Sequence, residues 1–247
     1  MQWPTTIYRT FLTWVAGVFA TIVGAISVMV LAFVNPTSPR IESVIHWWSR
    51  VWLMASGSHL TIEGAENIDP EQSYVVVANH LSTLDIMVCF LAVPLPIRYL
   101  AKKELFRIPL LAQAMRSVGI IEVDRAARGA IHTSVNRQAK ELIEHNRSLI
   151  IYAEGTRPRD GVMKPFKKGA FTMAIASQLP ILPLSIHGTY EAAVPGKPWF
   201  HGGPVTAIID EAIPTTGMTQ ADADALRDRV REIIAKRVSD LGGPVGA

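Results

Sequence analysis

Hydrophobic positions follow three regimes along the chain. From Phe11 to Val34, 24 residues carry no charge and are dominated by Leu, Val, Ile, Phe and Ala with two glycines. An α-helix rises about 1.5 Å per residue, so such a run is long enough to cross a hydrocarbon core about 30 Å thick. It exceeds the apolar core of a cleaved signal peptide and lacks small-x-small flanks, so it reads as a retained anchor. Asn35, Pro36 and Pro39 then break the helix. A second helical stretch follows from Ile41 to Met54, with Val44, Trp47, Trp48, Val51 and Trp52 between Glu42, His46 and Arg50. Three tryptophans this close together suit a headgroup belt, with packing into the core as the alternative. The pair reads as two helices against one leaflet, or as a spanning helix followed by an interfacial one.

Beyond Gly57 short β-rich runs alternate with helical ones, the pattern of βαβ units. The runs are Tyr74 to Ala78, Arg98 to Ala101, Gly119 to Val123, Leu149 to Ala153, Ile181 to Ile186 and Val205 to Ile209. Ile131, Val135, Leu142 and Ile143 recur at helical spacing, and Thr219 to Leu241 reads as a capped amphipathic closing helix. The expectation is an α/β fold: a mixed, largely parallel sheet flanked by helices over 57–247, behind an N-terminal membrane-associated helical segment over 1–56.

Composition sharpens this picture. The chain has 247 residues, enough for one full-sized domain and an appendage, with 49% hydrophobic and 18% charged residues. Its mean hydropathy of +0.24 excludes disorder and points to a membrane. One cysteine, Cys89, excludes a disulfide framework and a four-thiolate metal site, fits a reducing compartment, and sits in an apolar run as inert core. Net charge is +3, but Arg98 to Lys168 holds fifteen Lys and Arg against seven Asp and Glu, leaving the remainder at −5. Such asymmetry points to one region that meets something anionic, nucleic acid, phospholipid headgroups or a phosphorylated substrate, with a solvated basic face as the alternative. The cations lack interleaved base-stacking aromatics, which disfavours nucleic acid.

Ligands of open α/β sheets bind beyond the carboxyl ends of the strands. There the sequence places Asn79-His80-Leu81-Ser82-Thr83-Leu84-Asp85, then Lys102-Lys103, then Asp124-Arg125, then Glu154-Gly155-Thr156-Arg157. If the chain turns into a helix after His80, Asp85 reaches back to one imidazole nitrogen, fixes the tautomer and leaves the other as a proton acceptor. A helix-capping histidine is the plainer alternative. No Gly-x-Ser-x-Gly elbow and no strand-end cysteine is present, so His80 is better suited to activating a hydroxyl of the substrate. Gly155 lets backbone amides approach a ligand, and Arg157 and Arg125 each offer a planar fork for phosphate oxygens, with Glu154 able to hold either guanidinium. Surface ion pairs would use the same residues. Lys164, Lys167 and Lys168 around Phe166 extend the positive field. Ile86 to Ile97, split by Pro94 and Pro96, is too short to span a bilayer and reads as an acyl groove or as core.

The motif order resembles the lysophosphatidic acid and glycerol-3-phosphate acyltransferase family. His80-x4-Asp85, Gly119-Ile-Ile-Glu-Val-Asp124-Arg125, Glu154-Gly-Thr-Arg157, Phe166-Lys-Lys-Gly-Ala-Phe171 and Leu179-Pro-Ile-Leu-Pro183 occur in sequence over about Tyr74 to Pro183. Two departures stand out: Tyr152-Ala153 where an aromatic-proline pair is usual, and Glu122 where an apolar residue is usual. The resemblance implies a glycerolphosphate acyltransferase-like fold. It further implies acyl transfer from an acyl-CoA or acyl carrier protein thioester to the free hydroxyl of 1-acyl-glycerol-3-phosphate, giving phosphatidic acid. By the same resemblance His80 is the general base and Asp85 its orienting partner. Arg125 with Glu154, Gly155, Thr156 and Arg157 binds the acceptor phosphate, and Lys102 assists. No metal and no cofactor is implied. The implied partners are a phospholipid surface, a lysophospholipid acceptor and the thioester donor, at a cytoplasmic membrane with the active site facing the cytoplasm. A different lysolipid acceptor, a lipid-to-lipid transacylase, or a non-catalytic protein that binds anionic lipid are the alternatives.

Overall fold

The computed structural model describes residues 3–123 and 147–246. Two long helices, α1 (Trp3–Val34) and α2 (Arg40–Ser56), precede the α/β body. The body's strands are β1 (Ser58–Glu63), β2 (Val75–Ala78), β3 (Ile97–Lys102), β4 (Ile121–Val123), β5 (Ser148–Tyr152), β6 (Ile181–His187) and β7 (Gly203–Ile209). Its helices are α3 (Asp85–Ala92), α4 (Pro109–Val118), α5 (Gly169–Ser177), the single turn α6 (Thr189–Ala192) and α7 (Ala223–Asp240). The strands form one sheet in the order β1-β7-β6-β2-β5-β3-β4. From β6 to β4 the neighbours are parallel, β7 is antiparallel to β6, and β1 runs parallel to β7. The sheet is thus mixed and largely parallel, as the alternation of runs requires.

Alternation of side chains divides the core. Val76 and Ala78 face one side of β2, with Tyr99, Ile150, Leu184 and residues of α1 to α4. Val75 and Val77 face the other, with Phe171, Ile175, Val230 and Ile234 of α5 and α7. A strand buried on both faces reads as a continuous apolar run, which is why Val-Val-Val-Ala was legible. Strand β1 was not: it lies at the sheet edge, with only Ser58 of its six residues buried, so no apolar run marks it. The closing helix begins as expected, with Thr219 and Asp222 forming a capping box ahead of α7. The segment after His80 becomes α3, whose Met87, Val88, Cys89, Phe90 and Ala92 are all buried. With Asp85, six of the eight helix residues are therefore buried, and burial pushes the Cys89 thiol up to about 12, consistent with an inert sulfur.

Helix α1 packs lengthwise onto the rest of the chain. Trp14 Nε1 donates to the Pro198 carbonyl at 3.2 Å and the Phe200 amide donates to Thr10 Oγ1 at 3.0 Å. Farther along, Thr21 Oγ1 accepts from Trp48 Nε1 at 2.9 Å and Trp52 Nε1 at 3.3 Å, and Ala25 and Val28 join the core. A belt of three tryptophans is not what forms. Trp48 and Trp52, four residues apart on one helical face, turn inward against Phe90 and Phe200, leaving Trp47 exposed. Gly17 makes this possible, because a Cβ there would lie 2.5 Å from the Trp52 ring.

A buried ion pair fixes α2 to the sheet. Arg98, 1% exposed in β3, spans both oxygens of Glu42 at 2.5 and 3.2 Å and also donates to the carbonyls of Val118 and Ile97. Removing one partner strands the other, so Arg98→Met is expected to lower the unfolding free energy by about 3 kcal/mol. The double variant Arg98→Met, Glu42→Leu should recover part of that loss. Chemical unfolding in detergent measures both, and an Arg98→Met protein as stable as the parent would contradict the role given to the pair.

Candidate active site

The site is assembled where β2 ends. Beyond Ala78, the Asn79 side chain is fully buried and continues the β2–β6 pairing: its Nδ2 donates to the Ile186 carbonyl and its Oδ1 accepts from the Ile186 amide, both at 2.8 Å. The next five residues turn back over the strand end, and α3 begins at Asp85. Asp85 is fully buried, and its Oδ2 accepts from the amides of Leu81 at 2.7 Å and Ser82 at 2.8 Å. The turn therefore wraps around the carboxylate, helped by Ser82 Oγ donating to the Ala193 carbonyl at 2.7 Å.

The same oxygen meets His80 Nδ1 at 2.8 Å. A carboxylate only accepts, so Nδ1 carries the proton and Nε2 keeps its lone pair. The helix-cap alternative does not describe this arrangement: the imidazole is held by a side chain at the strand end and remains partly open, with 13% of its surface exposed.

Strand β5 supplies the floor. Ala78 and Tyr152 are register partners, so Tyr152 rises beside the strand that carries His80, and the two rings stack with centroids 3.8 Å apart and planes 8° apart. Glu154 is 2% exposed. One of its oxygens accepts from the His80 amide at 2.7 Å and the other from the Lys164 amide at 2.8 Å. Burial pushes its carboxyl up to about 7, against the pull of those two amides. Glu154 thus ties the His80 turn to the loop before α5, and these backbone contacts occupy the oxygens that the sequence offered to a guanidinium.

The remaining expected site residues are placed unequally. Arg157 is exposed and donates through Nη1 to Thr83 Oγ1, so its guanidinium lies on the turn that carries His80. Gly155 has φ +75°, and a Cβ there would meet Lys167 Nζ at 2.7 Å, so the glycine admits that lysine beside the site. Thr156 is exposed on the same rim. Lys102 ends β3, two strands from β2, with its side chain exposed. Lys168 is drawn away by an ion pair with Asp224 at 2.8 Å. Arg125, with Asp124 and the helical pattern of Ile131 to Ile143, lies outside the described residues. Two contributors were missed. Asn79 gives a strand-end signal without a stated partner, and Tyr152, marked in the sequence only by its place in the expected aromatic-proline pair, has no link to His80 until strand order places β5 beside β2.

Known proteins carry the same arrangement of sequence and fold. The Acyltransferase family model matches residues 59–187. The human 1-acyl-sn-glycerol-3-phosphate acyltransferase alpha is 33% identical over 175 residues, 71% of this chain and 62% of that protein. The human beta protein is 32% identical over 186 residues, 75% of this chain and 67% of that one, so the chain spans about two thirds of the length of such relatives. The crystal structure of the 1-acyl-sn-glycerophosphate acyltransferase of Thermotoga maritima superposes over 100% of both chains with a TM-score of 0.84 at 26% identity. With the family model matching just over half of it, the chain belongs to the acyltransferase family.

Proposed function

We propose that this protein transfers an acyl group from a thioester, acyl-CoA or acyl carrier protein, to the free hydroxyl of 1-acyl-glycerol-3-phosphate, yielding phosphatidic acid. The observation that carries the reading is the Nδ1 contact of His80 with buried Asp85, which leaves Nε2 as a base at a rim bearing Arg157. A thioester is already reactive, so the task is to align the hydroxyl, remove its proton and stabilise the developing oxyanion. Nε2 takes the hydroxyl proton as the oxygen attacks the carbonyl carbon. The tetrahedral intermediate then expels the thiolate, which recovers the proton from the imidazolium. Asp85 stays ionised throughout and stabilises that imidazolium.

Arg157 and Lys167, beside Gly155, supply positive charge for the acceptor's phosphate. Arg157→Lys keeps the charge and loses the planar fork, so the KM for lysophosphatidic acid should rise about tenfold while kcat changes less than about threefold. An unchanged KM contradicts the phosphate role.

Membrane association rests on α1, whose segment Pro4–Val34 is long and apolar enough to cross a bilayer. Its outer face exposes Phe11, Val15, Val18, Phe19, Ile22, Ile26, Val30 and Phe33, a stripe at helical spacing. The inner face is attached to the body from Thr10 to Thr21, so the stripe is suited to lying in one leaflet rather than crossing both. On this reading 1–56 is the anchoring segment and 57–247 the catalytic one, with the site on the cytoplasmic side, where a lone free cysteine also fits.

The test is acyl transfer by the purified protein in phospholipid vesicles, with lysophosphatidic acid and acyl-CoA, or acyl carrier protein, as donor. Phosphatidic acid and free thiol in equal amounts are expected. Acylation of other lysolipids alone, or transfer with the thioester withheld, would overturn the acceptor or the donor, and lipid binding without product would overturn the enzyme.

A further inference from the structure

The imidazole of His80 lies parallel to the phenol ring of Tyr152, 8° from coplanar at a centroid distance of 3.8 Å. The negative face of an aromatic ring attracts a cation placed over it, so any positive charge that forms on this imidazole forms over the Tyr152 ring. We infer that Tyr152 is a positioning residue for the base: its ring face fixes the His80 plane and stabilises the imidazolium formed when Nε2 takes the acceptor's proton. This inference rests on His80 acting as that base.

The ring is itself held by a second aromatic. Tyr99 packs against Tyr152 with centroids 5.7 Å apart and planes 29° apart. The Tyr152 hydroxyl donates to Tyr99 Oη at 3.5 Å and lies 3.5 Å from Cys89 Sγ, while Tyr99 Oη donates to the Ile86 carbonyl at 2.9 Å. Tyr99 and Cys89 are buried, so the phenol has little freedom to follow a moving imidazole. Burial also raises both tyrosine hydroxyls well above their ordinary range, so the ring facing His80 remains a neutral phenol. Ala78, the register partner of Tyr152, is small enough to leave space for the stack.

Other charged groups approach His80 differently. Asp85 meets Nδ1, in the imidazole plane. Glu154 accepts from the His80 backbone amide, Lys164 reaches Glu154 through its own amide, Arg157 lies on Thr83, and Lys167 lies over Gly155. Among these described contacts, the ring face is addressed by Tyr152.

The experiment replaces Tyr152 with Phe and with mono-, di- and trifluorinated phenylalanines, which drain the ring face of negative charge at nearly constant shape. Tyr152→Phe, which removes the hydroxyl contacts and keeps the ring face, is the reference for the series. Along the fluorinated series kcat should fall stepwise by about two- to fivefold in total, with KM and melting temperature unchanged. The acid limb of the kcat/KM profile should move to lower pH by about half a unit, because a less stabilised imidazolium loses its proton more readily. A merely structural ring would leave that limb in place. Tyr152→Leu should lose activity further in the same directions, and if it fails to fold the isosteric series still decides. A flat series alongside an inactive His80→Ala overturns the role of Tyr152 alone. Activity retained in His80→Ala overturns the base assignment and this inference with it.

Discussion

His80→Ala is expected to lower kcat for acyl transfer by about 10³-fold while leaving the melting temperature within a few degrees of the parent. The magnitude is that of a positioned general base acting on a hydroxyl whose own acidity is far too weak for attack at neutral pH. The imidazole is partly exposed and its removal leaves no large cavity in the core. The backbone contact of residue 80 with Glu154 survives the substitution, because the amide and not the side chain makes it. The KM for the acceptor should change little, since the phosphate is held elsewhere on the rim. Steady-state kinetics in vesicles together with a thermal melt separate loss of the base from loss of the fold. A variant that keeps a tenth or more of the parent's kcat contradicts the assignment.

Asp85→Asn should reduce kcat by about 10²-fold, and Asp85→Ala should reduce both activity and stability. Asparagine keeps a carbonyl oxygen for the amides of Leu81 and Ser82, so the turn can close, but it withdraws the charge that stabilises the imidazolium. Alanine leaves those two buried amides without their acceptor, at about 1–3 kcal/mol for each unsatisfied group. The two variants therefore differ in a checkable way: the melting temperature falls for Ala more than for Asn, while both are slow. Equal melting temperatures would mean that the turn does not depend on the carboxylate for its shape.

The contact between His80 and Asp85 was legible because it is local: five residues that leave a strand and enter a helix can bring a carboxylate back to an imidazole. The central strands were legible for a related reason: burial on both faces of β2, β5 and β6 writes a continuous apolar run into the sequence. What stayed hidden depends on strand order. Tyr152 stacks on His80 because β5 neighbours β2 and sets Tyr152 beside Ala78, 74 positions earlier in the chain, which no local pattern encodes. Glu154 looked like a partner for arginine because it adjoins one in sequence, yet its side chain turns inward to two amides. The tryptophans of α2 misled in the same way, since their clustering fits a headgroup belt, while Gly17 and Thr21 of α1 create the inward seat that two of them occupy.

The proposed mechanism requires the proton of the neutral His80 ring to sit on Nδ1. Nitrogen-15 spectra of the histidine-labelled protein in detergent at mildly alkaline pH, with the His80 signals assigned by their loss in His80→Ala, report this directly. Protonated Nδ1 and bare Nε2 are expected, with the Nδ1 proton strongly deshielded by Asp85 and the pattern lost in Asp85→Ala. A protonated Nε2 with bare Nδ1 would leave no base facing the acceptor hydroxyl and would contradict the mechanism.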